Sequence, residues 1–475
     1  MNNSALEQRI ASQWDAEIVP QITEYIRVPA KSPHFDPQWE SHGHIERVIQ
    51  QALAWVRIQP VKGLAAEIVR IAGRTPLLFI DIPASAGHAR PGTVMLYGHL
   101  DKQPEMVGWH ADAGPWEPRY IGGKLYGRGG ADDGYAVFAA LSAIGALQAQ
   151  GVPHARCIGI IETCEESGSY DLPAYLALLA PRVGDVELVV GLDSGCGDYE
   201  RLWMTTSLRG LASGTLGVEV LSEGVHSGDA SGVVPSSFRI ARHLLDRLED
   251  AATGRILPPQ FHVAIPRERV EQAHATAAII GGNVVDKYPF AGSTAPMIAA
   301  GGDALLTRTW RPALSVIGAD GLPAIANAGN VLRPQTSLAL SLRLPPLVDG
   351  SAAAEAMRQL LEADPPYGAK VTFSDAQGAT GWSAPMTAPW LAAALDHAST
   401  SVYGKPVAAM GEGGTIPFMA MLGVQFPRAQ FLITGVLGPH SNAHGPNEFL
   451  HVPYAKKLTA CVAHVVSAHA SRSAD

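Results

Sequence analysis

The stretch Gly92-Thr-Val-Met-Leu-Tyr-Gly-His-Leu-Asp101 decides how the rest of the sequence is interpreted. Its segment Thr93–Tyr97 is apolar and rich in residues that favour strands, which predicts a buried strand. Gly98 ends that strand, and His99 and Asp101 follow. We expect them at the carboxyl edge of a sheet, where open α/β sheets collect ligands and where an Asp two residues past a His can orient the imidazole ring. A lone strand-end histidine also occurs in ordinary turns, so the other segments matter.

The composition is that of a globular protein without features of nucleic-acid or membrane binding. Of the 475 residues, 47% are hydrophobic and 17% are charged, and the formal net charge is −9. A chain of this length is longer than a domain with a single hydrophobic core usually is, so we expect two domains. The sequence contains neither a basic run nor an apolar run long enough to span a bilayer, so we expect no nucleic-acid partner and no membrane partner.

The N-terminus and the cysteines favour a cytoplasmic protein. The first residues lack the basic start and apolar stretch of a secretory signal. The sequence has four cysteines, Cys157, Cys164, Cys196 and Cys461, and none of them forms a CxxC pair. Such sparse use fits a reducing compartment better than a disulfide framework.

The order of the predicted elements indicates an α/β fold. Predicted helices alternate with predicted strands at 65–71, 77–82, 93–98, 156–162 and 187–192. Alternation of this kind predicts a mostly parallel sheet sandwiched by helices.

The pattern changes near Arg209, which indicates an inserted domain. The stretch 211–221 alternates small and apolar residues, as an antiparallel edge strand does. The segment 375–389 is rich in Gly, Ala, Pro and Ser, and we interpret it as a linker back to the first domain. We therefore predict a first domain over 1–207 and 385–475, and a small α+β insert over 208–384.

Four further segments place acidic residues or histidines at strand ends or in loops. They are Gly127-Arg-Gly-Gly-Ala-Asp-Asp133, Ile158-Gly-Ile-Ile-Glu-Thr-Cys-Glu-Glu-Ser-Gly168, Leu188-Val-Val-Gly-Leu-Asp-Ser194 and Gly438-Pro-His-Ser-Asn-Ala-His-Gly-Pro-Asn-Glu448. Adjacent carboxylates such as Glu165 and Glu166 at a buried strand end are costly unless a cation or a shared proton offsets their repulsion. The Asp pair of the first segment is also explained by helix capping.

Together these residue types form a set of oxygen and nitrogen ligands. That set suits zinc or a similar divalent metal. With one carboxylate bridging, it can hold two ions about 3.5–4 Å apart, and a spare carboxylate can then act as a general base. Spacing alone decides neither between Asp132 and Asp133 nor between Glu165 and Glu166.

Four motifs occur in the order in which the zinc-dependent amidohydrolase and exopeptidase family of carnosine dipeptidases, carboxypeptidase G and aminoacylase has them, and the chain resembles that family. They are Gly98-His-Leu-Asp101, Gly127-Arg-Gly-x-x-Asp-Asp133, Glu165-Glu-Ser-Gly168 and His444-Gly-Pro-Asn-Glu448. The resemblance covers nearly the whole chain and is greatest to the cytosolic non-specific dipeptidase branch. It departs from the family pattern at Ala131 and Gly134, where Thr and Lys are common. Neither position is a metal ligand, so the departure concerns the geometry of the loop.

The resemblance implies a role for each ligand and for the base. His99, Asp132, Glu166, Asp193 and His444 would hold two divalent cations, with Asp132 bridging them. Asp193 would complete the site of the cation that His99 binds, and His444 would complete the site of the cation that Glu166 binds. Zinc fits this set, and manganese or cobalt fits it too.

The resemblance also implies that Glu165 is the base that activates the attacking water. Asp101 would orient His99 and tune the water or the base.

The insert resembles the family's lid domain, which forms a homodimer and contributes to substrate binding. Gly224-Val-His-Ser-Gly228 resembles the lid motif whose His reaches the substrate across the dimer, so His226 would polarise the scissile carbonyl. Arg343, in Leu340-Ser-Leu-Arg-Leu344, would bind the terminal carboxylate of the substrate. A loop histidine in a Gly-flanked turn and a surface ion pair are the alternatives for these two residues.

Two further positions would contact the substrate. Asn330 could form a hydrogen bond near the oxyanion. Gly411-Glu-Gly-Gly-Thr-Ile-Pro417 resembles a Glu-Gly-Gly-Ser-Ile-Pro motif of the dipeptidase branch, in which Gly414 and Thr415 would offer groups to a carboxylate. A helix N-cap explains Thr415 equally well.

The ligand set and the resemblance together predict hydrolysis at a two-metal site, and the resemblance implies that the substrate is a dipeptide or short peptide. An N-acyl- or N-carbamoyl-amino-acid amidohydrolase with the same site is the alternative within enzymes. A non-catalytic metal-dependent binding or scaffold protein is the alternative of another class, and the presence of Glu165 in addition to the ligands argues against it.

Overall fold

The computed structural model describes residues 1–86, 88, 92–414 and 417–472. Its strands, in chain order, are β1 (Ala65–Val69), β2 (Leu77–Ile82), β3 (Thr93–His99), β4 (Arg119–Ile121), β5 (Lys124–Tyr126), β6 (Arg156–Glu162), β7 (Val186–Gly191), β8 (Trp203–Leu208), β9 (Gly210–Glu219), β10 (Val225–His226), β11 (Glu249–Asp250), β12 (Arg255–Ile256), β13 (Ala313–Asp320), β14 (Val331–Leu332), β15 (Gln335–Leu344), β16 (Lys370–Ala379), β17 (Trp382–Ser383), β18 (Ala408–Glu412), β19 (Gln430–Ile433) and β20 (Phe449–His451).

The α-helices of the described residues are α1 (Asn3–Gln13), α2 (Val19–Ile26), α3 (Trp39–His42), α4 (His44–Arg57), α5 (Ala136–Ala149), α6 (Leu172–Val183), α7 (Ser227–Ala230), α8 (Ser237–Leu245), α9 (Arg267–Ile280), α10 (Asn283–Asp286), α11 (Gly302–Trp310), α12 (Gly350–Glu362), α13 (Pro389–Tyr403), α14 (Pro417–Gln425) and α15 (Val452–Ser471). Wider π-type turns cover Trp14–Ile18 and Gly130–Gly134, and a short 3₁₀ turn covers Glu165–Ser167.

The chain forms two compact units. Unit 1 comprises Met1–Thr206, Ala384–Met410 and Met421–Asp475. Unit 2 comprises Ser207–Ser383 and Gly411–Ala420. Each unit has its own central sheet and its own apolar core.

The central sheet of unit 1 is mainly parallel. Its strand order is β1-β2-β6-β3-β7-β19, and β6, β3, β7 and β19 run parallel to one another. Strands β1 and β2 are antiparallel additions at one edge. Every residue of β3 is buried, as expected for a strand of a parallel sheet that is covered on both faces. The prediction of an α/β fold with a mostly parallel sheet is therefore confirmed.

Helix α15, the longest helix in the described part of the chain, packs against α13 and α5 in unit 1. Helix α5 in turn packs against β3, and its small Ala and Gly side chains allow a close approach. Among the helices of the described residues, none is long and apolar enough to cross a membrane. The four cysteines are all free and buried.

The sheet of unit 2 is antiparallel throughout, with the strand order β13-β15-β9-β16. Helices α8 and α12 pack against it. Burial alternates along β15, so that Leu338, Leu340, Leu342 and Leu344 enter the core and the residues between them do not. One face of this sheet therefore forms the core of unit 2.

The prediction that 211–221 forms an edge strand is wrong. Strand β9 lies inside the sheet, paired with β15 on one side and β16 on the other. The alternation of small and apolar residues reports one buried face, and an interior antiparallel strand has that face as well. The edge strands of this sheet are β13 and β16.

The interpretation of 375–389 as a linker is also wrong over its first part. Strand β16 continues to Ala379 and pairs with β9, with an irregularity between Ser374 and Gln377. Trp382 and Ser383 then pair with β8. The Gly- and Ala-rich composition of the segment disfavours a strand, but pairing with a neighbouring strand of the sheet overcomes this weak preference.

The segment 251–310, to which we assign no role from sequence, contains three α-helices, α9, α10 and α11. Helices α9 and α11 pack against each other around a small apolar cluster that includes Ala273, Leu305 and Trp310. This cluster is separate from the sheet core of unit 2.

Candidate metal centre

Strand ends in unit 1 bring His99 and Asp193 together. His99 is the last residue of β3, and Asp193 lies two residues beyond the end of β7. Because β3 and β7 are parallel neighbours, both residues emerge at the same edge of the sheet. Both are buried, and Nε2 of His99 lies 3.8 Å from Oδ2 of Asp193.

The two adjacent glutamates come from the 3₁₀ turn that follows β6. The carboxylate of Asp101 holds this turn, because its two oxygens accept hydrogen bonds from the amides of Glu165 (3.1 Å) and Glu166 (3.0 Å). Oε2 of Glu165 lies 4.0 Å from Nε2 of His99. The glutamate side chains are only 10% and 4% exposed.

Asp132 lies between the two predicted histidine ligands. It belongs to the turn that precedes α5, and its peptide bond to Asp133 is cis. Oδ1 of Asp132 is 3.4 Å from Nε2 of His99, and Oδ2 is 3.0 Å from Nε2 of His444. Nε2 of His444 is also 3.4 Å from Oε2 of Glu166. The carboxylate that separates the two imidazoles is thus that of Asp132, whereas Oδ2 of Asp133 lies near Gly98.

Candidate ligand atoms form two overlapping groups, which include Glu165, the predicted base, and do not include the predicted ligand His444. Within each group, the candidate ligand atoms all lie within 4.8 Å of one another. The first group is His99, Asp132 and Glu166, and the second is His99, Glu165 and Asp193. The structure therefore gathers His99 and four acids at one place, with His444 at its outer side, where its side chain is 55% exposed.

Burial of several acids at one place shifts their pKa values upward. Burial, followed by repulsion from Asp193, raises the pKa of Glu165 well above its usual value. Burial, followed by repulsion from Asp132, does the same to Glu166. Burial raises the pKa of Asp193 to about 7. Such a cluster is stabilised when positive charge is supplied to it.

The pKa values of the two histidines shift in the direction opposite to the one expected from burial alone. Burial acts to lower the pKa of His99, but the carboxylates of Asp101 and Asp132 outweigh it and raise the pKa well above its usual value. The pKa of His444 is raised as well, because Asp132 outweighs the effect of burial. Burial acts to raise the pKa of Asp132, and the two histidines reverse that shift. Both shifts come from the surrounding carboxylates, which favour positive charge in this pocket.

The residues of the pocket fit divalent cations. Nε2 of His99 is buried and has no hydrogen-bond partner, although a carboxylate oxygen lies on each side of it. An imidazole nitrogen and carboxylate oxygens are ligands that zinc and similar metals accept. The other ring nitrogen, Nδ1, lies 3.1 Å from the carbonyl oxygen of Asp101 and 3.5 Å from its carboxylate. Such a contact fixes the orientation of a ligating ring.

The two residues that follow Asp101 make buried contacts that sequence reasoning missed, and one of them, Gln103, contacts a candidate ligand. Nε2 of Gln103 donates a hydrogen bond to Oε2 of Glu166 (2.6 Å). Lys102 is fully buried, and its Nζ donates to the carbonyls of Tyr25 (2.7 Å) and Val28 (2.8 Å). Their position next to the His-Leu-Asp motif was the only sequence signal.

The side chain of Lys102 also explains why position 129, in the loop that carries Asp132, is a glycine. Gly129 has a positive φ of 81°. A Cβ atom at this position would lie 2.7 Å from Cγ of Lys102. Both the backbone conformation and the close approach therefore require glycine.

His226 and Asn330 are neighbours in unit 2. Strand β10, which ends at His226, pairs with β14, and the amide of Ser227 donates to the carbonyl of Asn330 (2.9 Å). The side chain of His226 is exposed, and its Nδ1 accepts a hydrogen bond from the amide of Gly228 (3.1 Å). In the neutral ring the proton therefore lies on Nε2, which can donate.

Arg343 belongs to a group of cationic residues in unit 2. It lies on β15, and burial lowers its pKa. Burial and the nearby charges of Arg343 and Arg308 lower the pKa of Arg209 to about 10. Nε of Arg209 donates to the carbonyl of Gly413 (3.1 Å), and Nε of Arg308 is buried without a hydrogen-bond partner. Like charges in such proximity favour the binding of an anion.

The predicted carboxylate-binding motif is only partly described. Gly414 is exposed, and no atom lies within 4 Å of the position that its Cβ would occupy. Thr415 lies outside the described residues.

Comparison with known protein families agrees with the resemblance that the motifs indicate. The family model described as peptidase family M20/M25/M40 matches residues 95–468. The chain belongs to peptidase family M20/M25/M40. The match begins in β3 and extends into α15, so that it includes the metal centre and unit 2. As an M20 peptidase, the chain is a metal-dependent hydrolase.

Two curated relatives of this M20 peptidase are dipeptidases. A cysteinylglycine-S-conjugate dipeptidase of Corynebacterium striatum is 28% identical over 382 residues, which are 77% of this chain and 79% of the relative. The beta-Ala-His dipeptidase of Homo sapiens is 26% identical over 404 residues, which are 80% and 76% of the two chains. The family and these relatives point to metal-dependent hydrolysis of dipeptides, as the sequence predicts.

A solved structure shares the fold of this M20 peptidase. The dipeptidase Dug1p of Saccharomyces cerevisiae superposes with a TM-score of 0.78 at 21% identity, and the match covers 99% of each chain. The predictions of the family, of the fold class and of a metal-dependent peptidase are confirmed. The roles of single residues stay predictions.

Proposed function

We propose that this M20 peptidase hydrolyses dipeptides at a centre of two divalent cations, with Glu165 as the general base. The observation that carries the proposal is the position of Asp132, which directs one oxygen toward His99 and the other toward His444. A carboxylate in that position can bridge two cations. Glu165 lies within the same cluster and provides one more carboxylate than the ligand set needs.

Five residues would hold the cations. His99 and Asp193 would bind one cation, Glu166 and His444 would bind the other, and Asp132 would bind both. The nitrogen and oxygen donors suit Zn²⁺, which we propose as the native metal, and Mn²⁺ or Co²⁺ would be accepted by the same donors. When bound, the cations supply polarisation of the scissile carbonyl and a lower pKa for the attacking water.

Glu165 would move the proton. Its Oε2 would accept a proton from the attacking water and then return it to the amine of the leaving amino acid. Asp101 would keep Glu165 in place, because its carboxylate holds the amides of Glu165 and Glu166. A general base must stay within hydrogen-bond reach of the reacting water, and a fixed backbone turn favours this.

Residues of unit 2 would recognise the substrate. Nε2–H of His226 would donate to the developing oxyanion, with Asn330 beside it. Arg343 would bind the free carboxylate of the substrate. The nearby charges of Arg209 and Arg308 support an anionic group at this place. The amide of Gly414, and Thr415 with it, would complete the carboxylate site.

We also propose that residues 208–384 form a lid and dimerisation domain and that 1–207 with 385–475 form the catalytic domain. Strand β13 supports a homodimer through the lid, because it is an edge strand with exposed Val316 (48%) and Ile317 (69%). Exposed apolar edges tend to pair with another strand. The variant I317K should shift the protein from dimer to monomer in sedimentation velocity. A wild-type protein that sediments as a monomer contradicts this part of the proposal.

A cytoplasmic location is proposed from the cysteines. The four thiols are free and buried, and a reducing compartment keeps them so. Fractionation of cells that produce the protein tests this location.

The decisive experiment compares three panels of substrates. Protein treated with a chelator and then loaded with Zn²⁺ is incubated with dipeptides, with N-acyl-amino acids and with N-carbamoyl-amino acids, and free amino acids are measured. We expect release from dipeptides, a loss of activity after chelation, and its return with Zn²⁺. Release from the N-acyl or N-carbamoyl panel alone would identify an amidohydrolase. Zn²⁺ binding without any release would identify a binding protein.

A dipeptide and its C-terminal amide form a matched pair for the carboxylate site. Amidation removes the negative charge but keeps the scissile bond, so we expect KM to rise for the amide. The variant R343M should abolish this preference, because the guanidinium that reads the carboxylate is gone. Equal KM values for the two substrates in the wild-type protein contradict the role of Arg343.

A further inference from the structure

The candidate ligands are supported in two different ways. His99 and Asp193 follow strands β3 and β7, whose backbones are held by the hydrogen bonds of the central sheet. His444 lies in the loop between β19 and β20. Its φ is 65°, and Asn442 and Asn447 in the same loop also have positive φ. Such backbone conformations persist only where surrounding contacts enforce them.

A buried ion pair lies between this loop and the loop that carries Asp132. Nη1 of Arg128 donates to Oε2 of Glu448 at 2.6 Å. The side chains of Arg128 and Glu448 are 1% and 0% exposed. The residues are 320 positions apart in the chain, and each lies four positions from a candidate ligand, Asp132 or His444.

Further hydrogen bonds of the pair go to the backbones of both loops. Nη2 of Arg128 donates to the carbonyls of His444 (3.1 Å) and Gly445 (2.8 Å). Oε1 of Glu448 accepts from the amide of Gly129 at 2.9 Å, with the amide of Ala131 at 3.4 Å. Each member of the pair therefore reaches across to the loop of the other.

A third segment is attached to the same guanidinium. Nε of Arg128 donates to the carbonyl of Pro104 (3.1 Å), which lies next to Gln103. Gln103 in turn donates to Glu166. The pair thus contacts the backbones of the loops that carry Asp132 and His444 directly, and it reaches Glu166 only indirectly, through Pro104 and the neighbouring Gln103. Asp132, Glu166 and His444 are the three ligands of the cation that we call the second.

We propose that Arg128 and Glu448 are positioning residues that set the affinity of the second cation. The inference rests on the two-cation function proposed above. A buried ion pair adds little to stability compared with apolar residues of the same size, but its fixed hydrogen bonds specify one arrangement of the groups around it. Here the groups so arranged are the loops that carry Asp132 and His444. The ligands His99 and Asp193 receive no hydrogen bond from the pair among the described contacts.

The test uses R128K and E448Q in the full-length protein. R128K keeps a positive charge for Glu448 but loses the planar fork that reaches the carbonyls of His444, Gly445 and Pro104. E448Q keeps an oxygen for the amide of Gly129 but removes the charge. The probe is Zn²⁺ alone, added to chelator-treated protein at buffered free concentrations, with bound metal measured by mass spectrometry and by calorimetry.

The control is R156K, because Arg156 makes a similar set of contacts elsewhere in unit 1. Its guanidinium binds both oxygens of Asp81 (2.9 and 2.7 Å) and the carbonyls of Val183 (3.1 Å) and Arg182 (2.7 Å). None of these residues is a candidate ligand. Circular dichroism and thermal melting of the metal-free proteins show that each variant is folded before Zn²⁺ is added.

We expect the wild-type protein and R156K to bind two equivalents of Zn²⁺. In R128K and E448Q the second equivalent should bind about 10- to 100-fold more weakly, as is typical when a partner of a ligand is removed. The first should weaken less, because Asp132 is the one ligand that it shares with the second. At saturating Zn²⁺ the kcat of R128K should return to that of the wild-type protein. A direct part in the reaction would leave kcat low at any Zn²⁺ concentration.

Three results would overturn the inference. The first is that R128K and E448Q bind both equivalents as the wild-type protein does. The second is that they weaken both equivalents alike, and the third is that R156K weakens the second equivalent as well. A wild-type protein that binds fewer than two equivalents is a different result, because it refutes the two-cation function on which the inference rests.

Discussion

Strand β3 of unit 1 and β15 of unit 2 both lie inside a sheet, but they use their side chains differently. All residues of β3 are buried, between parallel neighbours on both sides. Burial alternates along β15, between antiparallel neighbours. A parallel strand covered on both faces leaves only its end for polar chemistry, which is where His99 lies. An antiparallel strand with one open face can carry a polar residue within its length, as β15 carries Arg343.

The largest expected effect concerns the strand ends of unit 1. The variant E165Q should lower kcat about 10²- to 10⁴-fold, the usual contribution of a general base, because glutamine cannot accept the proton. Its Zn²⁺ content should stay that of the wild-type protein. Steady-state kinetics with a dipeptide and metal analysis of the same sample measure the two quantities.

The control for this prediction is E362Q on helix α12, an exchange of the same type in unit 2. It should leave kcat unchanged. If E165Q loses Zn²⁺ together with activity, Glu165 is a ligand and the base must be another residue. If E165Q keeps its activity, the catalytic assignment at the parallel sheet edge is wrong.

The second prediction tests the difference between the two strands directly. In β3, M95A and L96A should each lower the free energy of unfolding by about 2–5 kcal/mol, because removal of either buried side chain leaves a cavity in a packed core. In β15, L342A should cost about the same, but its neighbour S341A should stay within ~0.5 kcal/mol. Urea unfolding followed by circular dichroism measures these differences.

The four variants are controls for one another, because each strand contributes two adjacent positions. A small effect of either M95A or L96A would show that one face of β3 is not packed. A large effect of S341A would show that the second face of β15 is covered, which would also remove the open face on which Arg343 lies.

The third and smallest effect is a pH dependence that differs between the units. Burial, together with the nearby His397, lowers the pKa of His464 in α15 to about 4. An unfolded chain has a histidine pKa of about 6.5. The neutral ring is thus favoured in the folded protein, and its contribution to stability is complete above about pH 6.5 and is lost as the pH falls toward 4.

Between pH 6.5 and pH 4, the unfolding free energy of H464Q should therefore decline less than that of the wild-type protein. The difference between the two declines should be at most about 3 kcal/mol. H243Q in unit 2, where the histidine is exposed, should follow the wild-type curve. Urea midpoints measured in a pH series test both variants. Parallel curves for H464Q and the wild-type protein would contradict a buried neutral His464.

The central sheet of unit 1 could be predicted from sequence because its signals are local. Continuous apolar runs indicate strands buried on both faces, and polar residues directly after them indicate the edge at which ligands gather. His99, Glu165 and Asp193 follow such runs, so their convergence was predictable once the strands were taken as parallel. Asp132 could not be separated from Asp133 by this argument, because only the geometry of the loop decides which carboxylate faces the histidines.

The signals that failed depend on distant partners. The alternation in β9 indicates one buried face but does not show whether a second strand lies beside it. The composition of 375–389 indicates a loop, yet pairing with β9 extends β16 to Ala379. Arg128 and Glu448 both lie in motifs that the sequence displays, but nothing local indicates that residues so far apart form a pair.

Lys102 offers a chemical reporter for the beginning of the chain. Its amine is enclosed by carbonyls that belong to the end of α2 and the residues after it. An amine-reactive label can reach this nitrogen only when that segment detaches from the strand that carries His99. The rate at which Lys102 is labelled would thus report how often the N-terminal segment opens. A shortened chain that begins after Val28 would leave this amine without its carbonyl acceptors, beside the strand that carries His99.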